Sequence, residues 1–149
     1  MNIRAMTQLR ILLRISGNDR GGAAVEFAIL APVFLFMLFG MIAYAIYFGA
    51  AHSVQQLAAD AARTSIAGLN EGERNTLVSN FLDNNSGDYI LINPERMSFV
   101  VGDKPGDTSQ YRVTISYDAS SLPIWDLSVP LPLPSRIITY TSTIRKGGV

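Results

Sequence analysis

The chain has 149 residues and contains no cysteine and a single histidine, His52. Without cysteine it has no disulfide, no thiolate metal site and no cysteine nucleophile. One histidine nearly excludes a His-dependent catalytic triad or a multi-histidine metal centre. Lys and Arg number 12, as do Asp and Glu, so there is no basic field for nucleic acid. Composition therefore argues against most enzymes, and no cofactor or metal site is predicted.

Charged residues are also scarce, at 16% of the chain, whereas 48% of the residues are apolar. No Asp, Glu, Lys or Arg occurs from Phe27 to Ala59. About 20 apolar residues suffice for a helix to cross the hydrocarbon of a bilayer. The alternative is a buried core helix, but so small a domain can hardly surround it on all sides. We therefore predict a transmembrane helix at residues 22–51, in contact with membrane lipid.

Arginine is concentrated before this apolar run, where four arginines accompany one acid, Asp19. Residues 52–149 hold 8 bases and 10 acids. The positive-inside rule places the N-terminus in the cytoplasm and the C-terminal region outside. The sequence thus predicts a single-pass membrane protein; in a Gram-negative bacterial cell this would be an inner-membrane protein with a periplasmic head. A cleaved secretory signal is the alternative, but the apolar run is about twice the usual 7–15 residues.

The most specific stretch lies between the arginines and the apolar run and reads RGGAAVEF, from Arg20 to Phe27. A carboxylate such as Glu26 is costly within lipid and is usually functional there. The alternative is that Glu26 only marks the interface, where its cost is small. Glycine lacks a side chain, so Gly21 would let an extended scissile segment approach a peptidase closely.

This junction, followed by AILAPVFLFMLFG, resembles the class III signal sequences that prepilin peptidases cut. It is similar to the TadE-like family of the Tad/Flp (tight adherence) pilus system, whose members are pseudopilins. The resemblance covers Arg20 to about Arg63 and implies cleavage between Gly21 and Gly22. It also implies a role for Glu26 and Phe27 in recognition and assembly, with the new α-amine of Gly22 paired to Glu26 of a neighbouring subunit or of the same chain. The partners it implies are a prepilin peptidase, other pilins and pseudopilins, and Tad inner-membrane assembly proteins.

Two further residues have both a structural and a functional interpretation. Pro32 lacks a backbone donor and predicts a helix kink, which is either silent or lets the helix bend on transfer into a filament. Trp125, the only tryptophan, lies in an apolar, proline-rich segment. It is either an anchor for its loop or a contact for a partner.

The predicted fold class is α+β and pilin-like, with one long helix that continues into a small head. Residues 1–21 are predicted as a basic cytoplasmic leader with an amphipathic helix that ends at Gly17, and residues 52–67 as a periplasmic extension of the long helix capped by Gly68. One face of this extension is apolar, formed by Val54, Leu57, Ala58, Ala61 and Ser65.

The head, residues 68–149, is predicted to contain a second helix at 71–82 and three or four antiparallel strands. The turn-rich stretch Asp83–Asp88 is predicted as a loop, with weak calcium binding as an alternative because it offers oxygen ligands. Period-two patterns predict the strands at 89–92, 97–101, 111–117 and 137–144.

The resemblance implies a structural subunit rather than an enzyme, and no P-loop, Rossmann, Gly-x-Ser-x-Gly or His-Glu-x-x-His pattern occurs. The head is larger than a major pilin of such systems would need, so the sequence favours a minor pilin or pseudopilin. The alternative is an unprocessed, membrane-anchored binding or sensor module with a periplasmic head.

Overall fold

The computed structural model describes residues 19–126 and 132–146, and the predicted leader helix lies outside them. The first helix, α1, is Asp19–Thr64, and a 3-10 turn at Ser65–Ala67 follows it. The predicted long helix is therefore confirmed, and it begins three residues before residue 22. The chain divides into two compact units, residues 1–39 and residues 40–149.

In the first unit, α1 leaves almost every side chain from Gly21 to Phe39 exposed. The exposed fraction is 72% for Phe27 and 65% for Met37. Soluble proteins rarely present so large a continuous apolar surface to water. Among the described residues, one helix, Gly21–Ala67, is long and apolar enough to cross a membrane. It fits a single-pass membrane anchor.

In the second unit, one face of α1 forms a wall of the hydrophobic core. The predicted apolar face is confirmed, because all five of its residues are buried, namely Val54, Leu57, Ala58, Ala61 and Ser65. The opposite face carries Gln55 and Gln56, which are exposed. Asp60 and Arg63 form an ion pair on the surface of α1, with 2.6 Å between Asp60 Oδ1 and Arg63 Nη1. Both side chains are solvated, so the pair contributes at most a few tenths of a kcal/mol, about what exposed helix pairs give.

The second helix, α2, is Glu71–Asn85. Its start is fixed by the Asn70 side chain, which accepts a 2.9 Å hydrogen bond from the Glu73 backbone N–H, as expected of an N-cap. The predicted loop at Asp83–Asp88 is wrong, because α2 runs on to Asn85 and a 3-10 turn occupies Ser86–Asp88. The Asn85 amide donates back to the Phe81 carbonyl over 2.8 Å, and this bond supports the extra turn.

The head contains a three-stranded antiparallel sheet with the order β1-β2-β3. The strands are β1 at Met97–Lys104, β2 at Asp107–Asp118 and β3 at Ile137–Arg145. The central strand β2 alternates as predicted, and its buried face consists of Tyr111, Val113, Ile115 and Tyr117. These side chains share one core with α1 and α2. The α+β class predicted from the sequence is confirmed.

The strand predicted at residues 89–92 is wrong. Tyr89 follows the 3-10 turn, and Ile90 and Leu91 form a tight turn. Leu91 has a φ of 65°, a left-handed conformation that a strand does not contain. The Tyr89 hydroxyl instead donates a 2.8 Å hydrogen bond to Asp60 Oδ2 on α1.

Two tyrosine hydroxyls connect the layers of the head. Tyr111 on β2 donates to Asn75 Oδ1 on α2 over 2.7 Å, and Tyr89 donates to Asp60 as described. Burial raises the pKa of Tyr111 to about 12, and burial with the Asp60 hydrogen bond does the same for Tyr89. Both hydroxyls therefore remain protonated donors at neutral pH.

Glycine is needed at position 68 because Arg74 approaches it closely. Its backbone angles do not require glycine, since they are ordinary at φ −79°. A Cβ on Gly68 would lie 2.8 Å from the Arg74 backbone nitrogen. We expect Gly68→Ala to lower the free energy of unfolding by about 1–3 kcal/mol, as overpacking does. Gly72→Ala, inside α2, should be neutral or raise it by up to about 1 kcal/mol. Urea unfolding of the detergent-solubilised protein measures both, and equal effects would contradict the steric explanation.

Candidate functional site

The junction predicted to be a processing site forms part of α1, and its four key residues are exposed: Gly21, Gly22, Glu26 and Phe27. In this structure the predicted scissile segment is helical, because α1 already begins at Asp19, and its extension at a peptidase stays a prediction. Helix-forming residues such as Ala23 and Ala24 follow the glycine pair and favour the helical form. Adjacent glycines make that helix easier to unwind, since each destabilises a helix by about 1 kcal/mol relative to alanine.

Packing among the described residues does not require glycine at position 22. Within that part of the chain, a Cβ on Gly22 would meet no atom within 4 Å. Its place inside α1 makes glycine the less stable choice there.

Glu26 lies four residues after Gly22, so both are on the same face of α1 and about 6 Å apart along its axis. Among the side chains that the structure describes, no cation forms an ion pair with the Glu26 carboxylate. Phe27, next to it, is 72% exposed. The arrangement presents a carboxylate and an aromatic ring together on a helix surface.

Pro32 lies inside α1, six residues after Glu26. Its missing N–H leaves the carbonyl of Ala28 without its helical partner. The helix nevertheless continues on both sides of the proline. The predicted role of Pro32 in bending stays a prediction.

All of these residues lie in one segment that matches the model of a protein family. Residues 21–63 match the family model of TadE-like proteins. The predicted resemblance to that family is confirmed. The TadE-like segment begins at Gly21 and includes Glu26, Phe27 and Pro32. No curated protein and no solved structure matches the chain.

Trp125 lies outside the TadE-like segment, at the end of a 3-10 turn, Pro123–Trp125. Its indole N–H donates a 2.6 Å hydrogen bond to the Ala119 carbonyl. The ring meets Tyr47 edge to face at 6.5 Å between centroids, and the Arg136 guanidinium lies 5.1 Å from its centroid. Trp125 thus holds its turn against α1 while remaining partly exposed, and a contact with a partner stays a prediction.

Two tyrosines of the TadE-like segment have a role that sequence reasoning missed. The Tyr47 hydroxyl donates to the Ser135 carbonyl over 2.9 Å, and the Tyr44 hydroxyl donates to the Pro132 carbonyl. Their spacing of three residues in an otherwise apolar helix is the signal that could have identified a shared polar contact.

A cleft of about 630 Å³ opens beside His52 and Gln56 of the TadE-like segment, with Asp88 on its other wall. His52 is exposed, and its Nε2 lies 3.1 Å from the Gln56 amide nitrogen. Within residues 19–126 and 132–146, no group of three His, Cys, Asp or Glu is placed to hold a metal ion. The cleft therefore offers no support for the calcium alternative at Asp83–Asp88.

Proposed function

We infer that the protein is a minor pilin or pseudopilin, a structural component of a Tad-type pilus assembly and adherence machinery. The observation that carries this proposal is that the TadE-like match coincides with an exposed apolar helix. The family is associated with pilus systems, and a structural, non-enzymatic role follows from that association. Its partners would be other pilins or pseudopilins and Tad inner-membrane assembly proteins.

In this proposal, a prepilin peptidase removes residues 1–21 from the cytoplasmic side. The arginines would hold the leader at that surface, and the Gly21–Gly22 pair would unwind locally to enter the peptidase. Cleavage would create an α-amine on Gly22, one turn from the Glu26 carboxylate. An amine paired with a carboxylate is buried at a lower cost than either charge alone, so the pair suits packing among apolar helices.

We expect mass spectrometry of the membrane-extracted protein to show Gly22 as the N-terminus in a cell with prepilin peptidase. Gly21→Val should retain the leader, because a β-branched side chain hinders the close approach of the scissile segment. The matched control is Ala24→Val, which places the same valine side chain on the far side of the bond and should be cleaved. An intact leader on the wild-type chain in that cell would reject processing and favour the sensor alternative.

The arginine distribution predicts that the head lies in the periplasm. Protease added to spheroplasts should digest the head and spare the exposed apolar part of α1 within lipid. A cytoplasmic marker protein tests the integrity of the spheroplasts. Protection of the head in intact spheroplasts, with digestion after lysis, would place it in the cytoplasm and contradict the proposed orientation.

A further inference from the structure

Between Gly40 and Ala51, α1 has two unlike faces. One face is buried in the core of the second unit through Ala43, Tyr47 and Ala50. The other exposes large apolar side chains, with Met41 at 70% and Phe48 at 63%. Aromatic and aliphatic side chains in this exposed row favour lipid over water. This part of α1 is therefore suited to contact the head on one side and lipid on the other.

Two segments of the head reach the same level of α1. The carbonyls of Pro132 and Ser135 accept the hydroxyls of Tyr44 and Tyr47. On another side, Leu91 Cδ1 lies 3.0 Å from the position that a Cβ on Gly49 would occupy. Both head segments thus lie beside the apolar stretch of the helix and not beyond its end.

These two segments present apolar side chains outward. Ile90 is 77% exposed, Leu91 41% and Leu133 47%. The left-handed conformation of Leu91, with a φ of 65°, is unfavourable for a bulky residue, yet it keeps the Ile90–Leu91 turn against α1. Nearby, Trp125 and Arg136 are stacked, and such aromatic and basic residues are frequent at membrane surfaces.

We propose that the head is seated in the outer leaflet of the bilayer that α1 crosses, through an apolar rim formed by Phe48, Ile90, Leu91 and Leu133. The inference rests on the membrane anchor of the proposed function and adds a second contact with the same membrane. His52, the first strongly polar side chain after the apolar run, lines a cleft together with Gly49 and Ile90 of this region. Continuity between the rim and the exposed apolar face of α1 identifies the leaflet lipids as the occupant.

The absence of cysteine allows a direct test on the full chain in phosphatidylcholine vesicles. Single substitutions Ile90→Cys, Leu69→Cys and Phe36→Cys each carry one nitroxide spin label. Leu69 is the matched control, because it is an apolar residue that is 88% exposed just beyond the C-terminal end of α1. The helix rises about 22 Å from Gly49 to Thr64, which separates Leu69 from the rim. Phe36, in the first unit, reports on the anchor.

The measurement is the accessibility of each label to oxygen, which concentrates in lipid, relative to a water-soluble nickel chelate. We expect the ratio of the two to be severalfold higher at position 90 than at position 69, and high at position 36. Equal ratios at 90 and 69 with a high ratio at 36 would overturn the seating of the head and leave the anchor standing. A low ratio at 36 would overturn both the anchor and the rim. Each label replaces an exposed side chain, so the core is left intact.

Discussion

Glu26→Gln should reduce piliation strongly while leaving membrane insertion and leader cleavage near normal. Gln has a similar shape and no charge, so it costs less at the entrance of an apolar helix than Glu does. Insertion should be unchanged or slightly improved. The head should also fold normally, since Glu26 is exposed in the first unit and the core lies in the second.

The loss should come from the missing partner of the Gly22 α-amine. A hydrogen bond to a charged group contributes about 1.5–3 kcal/mol, so its loss corresponds to an association that is roughly 10- to 150-fold weaker. If assembly of the pilus depends on this contact, its initiation should become infrequent. The three readouts are the membrane level of the protein, its cleavage by mass spectrometry and the number of pili per cell.

Glu95→Gln is the matched control, because it removes an equally exposed carboxylate from the head. It should leave piliation unchanged. Full piliation with Glu26→Gln would show that Glu26 is only an interfacial polar residue. A failure of cleavage with this variant would instead assign Glu26 to recognition by the peptidase.

Leu57→Ala should destabilise the head by about 2–5 kcal/mol, the range for removing a buried leucine side chain. Leu57 is fully buried at the centre of the face that α1 contributes to the core. Domains of this size have a total stability of only about 5–15 kcal/mol. The variant should still be inserted and cleaved, but its head should become sensitive to protease.

Gln55→Ala, two residues earlier and exposed, should change stability by no more than about 0.5 kcal/mol. Urea unfolding in detergent and limited proteolysis compare the two variants. If Leu57→Ala were as stable as Gln55→Ala, the C-terminal part of α1 would not be a wall of the core.

The structural elements that follow from a regular spacing of apolar residues were predictable from the sequence. The alternation along β2 follows from one buried face, and the apolar positions of α1 after His52 follow from helical periodicity. The stretch at residues 89–92 was not predictable in this way. It contains strand-forming side chains, but Tyr89 makes its hydrogen bond to Asp60, which lies 29 residues away.

The residues of the candidate site also differ in whether the sequence alone could locate them. Gly21, Gly22, Glu26 and Phe27 form a contiguous motif, so the sequence alone locates them. The contacts of Tyr44 and Tyr47 involve carbonyls 88 residues away along the chain. The local sequence around the two tyrosines does not predict which carbonyls they bind, because every residue has a backbone carbonyl.

The core wall contributed by α1 also sets an order for folding. The ribosome completes α1 before the sheet, and a domain generally folds as a unit, so α1 is already present when the strands emerge. β1 and β2 can pair as a hairpin, but α2 covers only part of the apolar face of the sheet until that face packs against residues 40–64 of α1. A soluble fragment that starts at residue 68 would thus lack one side of its core and tend to aggregate. A fragment that starts near Gly40 keeps the scaffold on which the strands complete their folding.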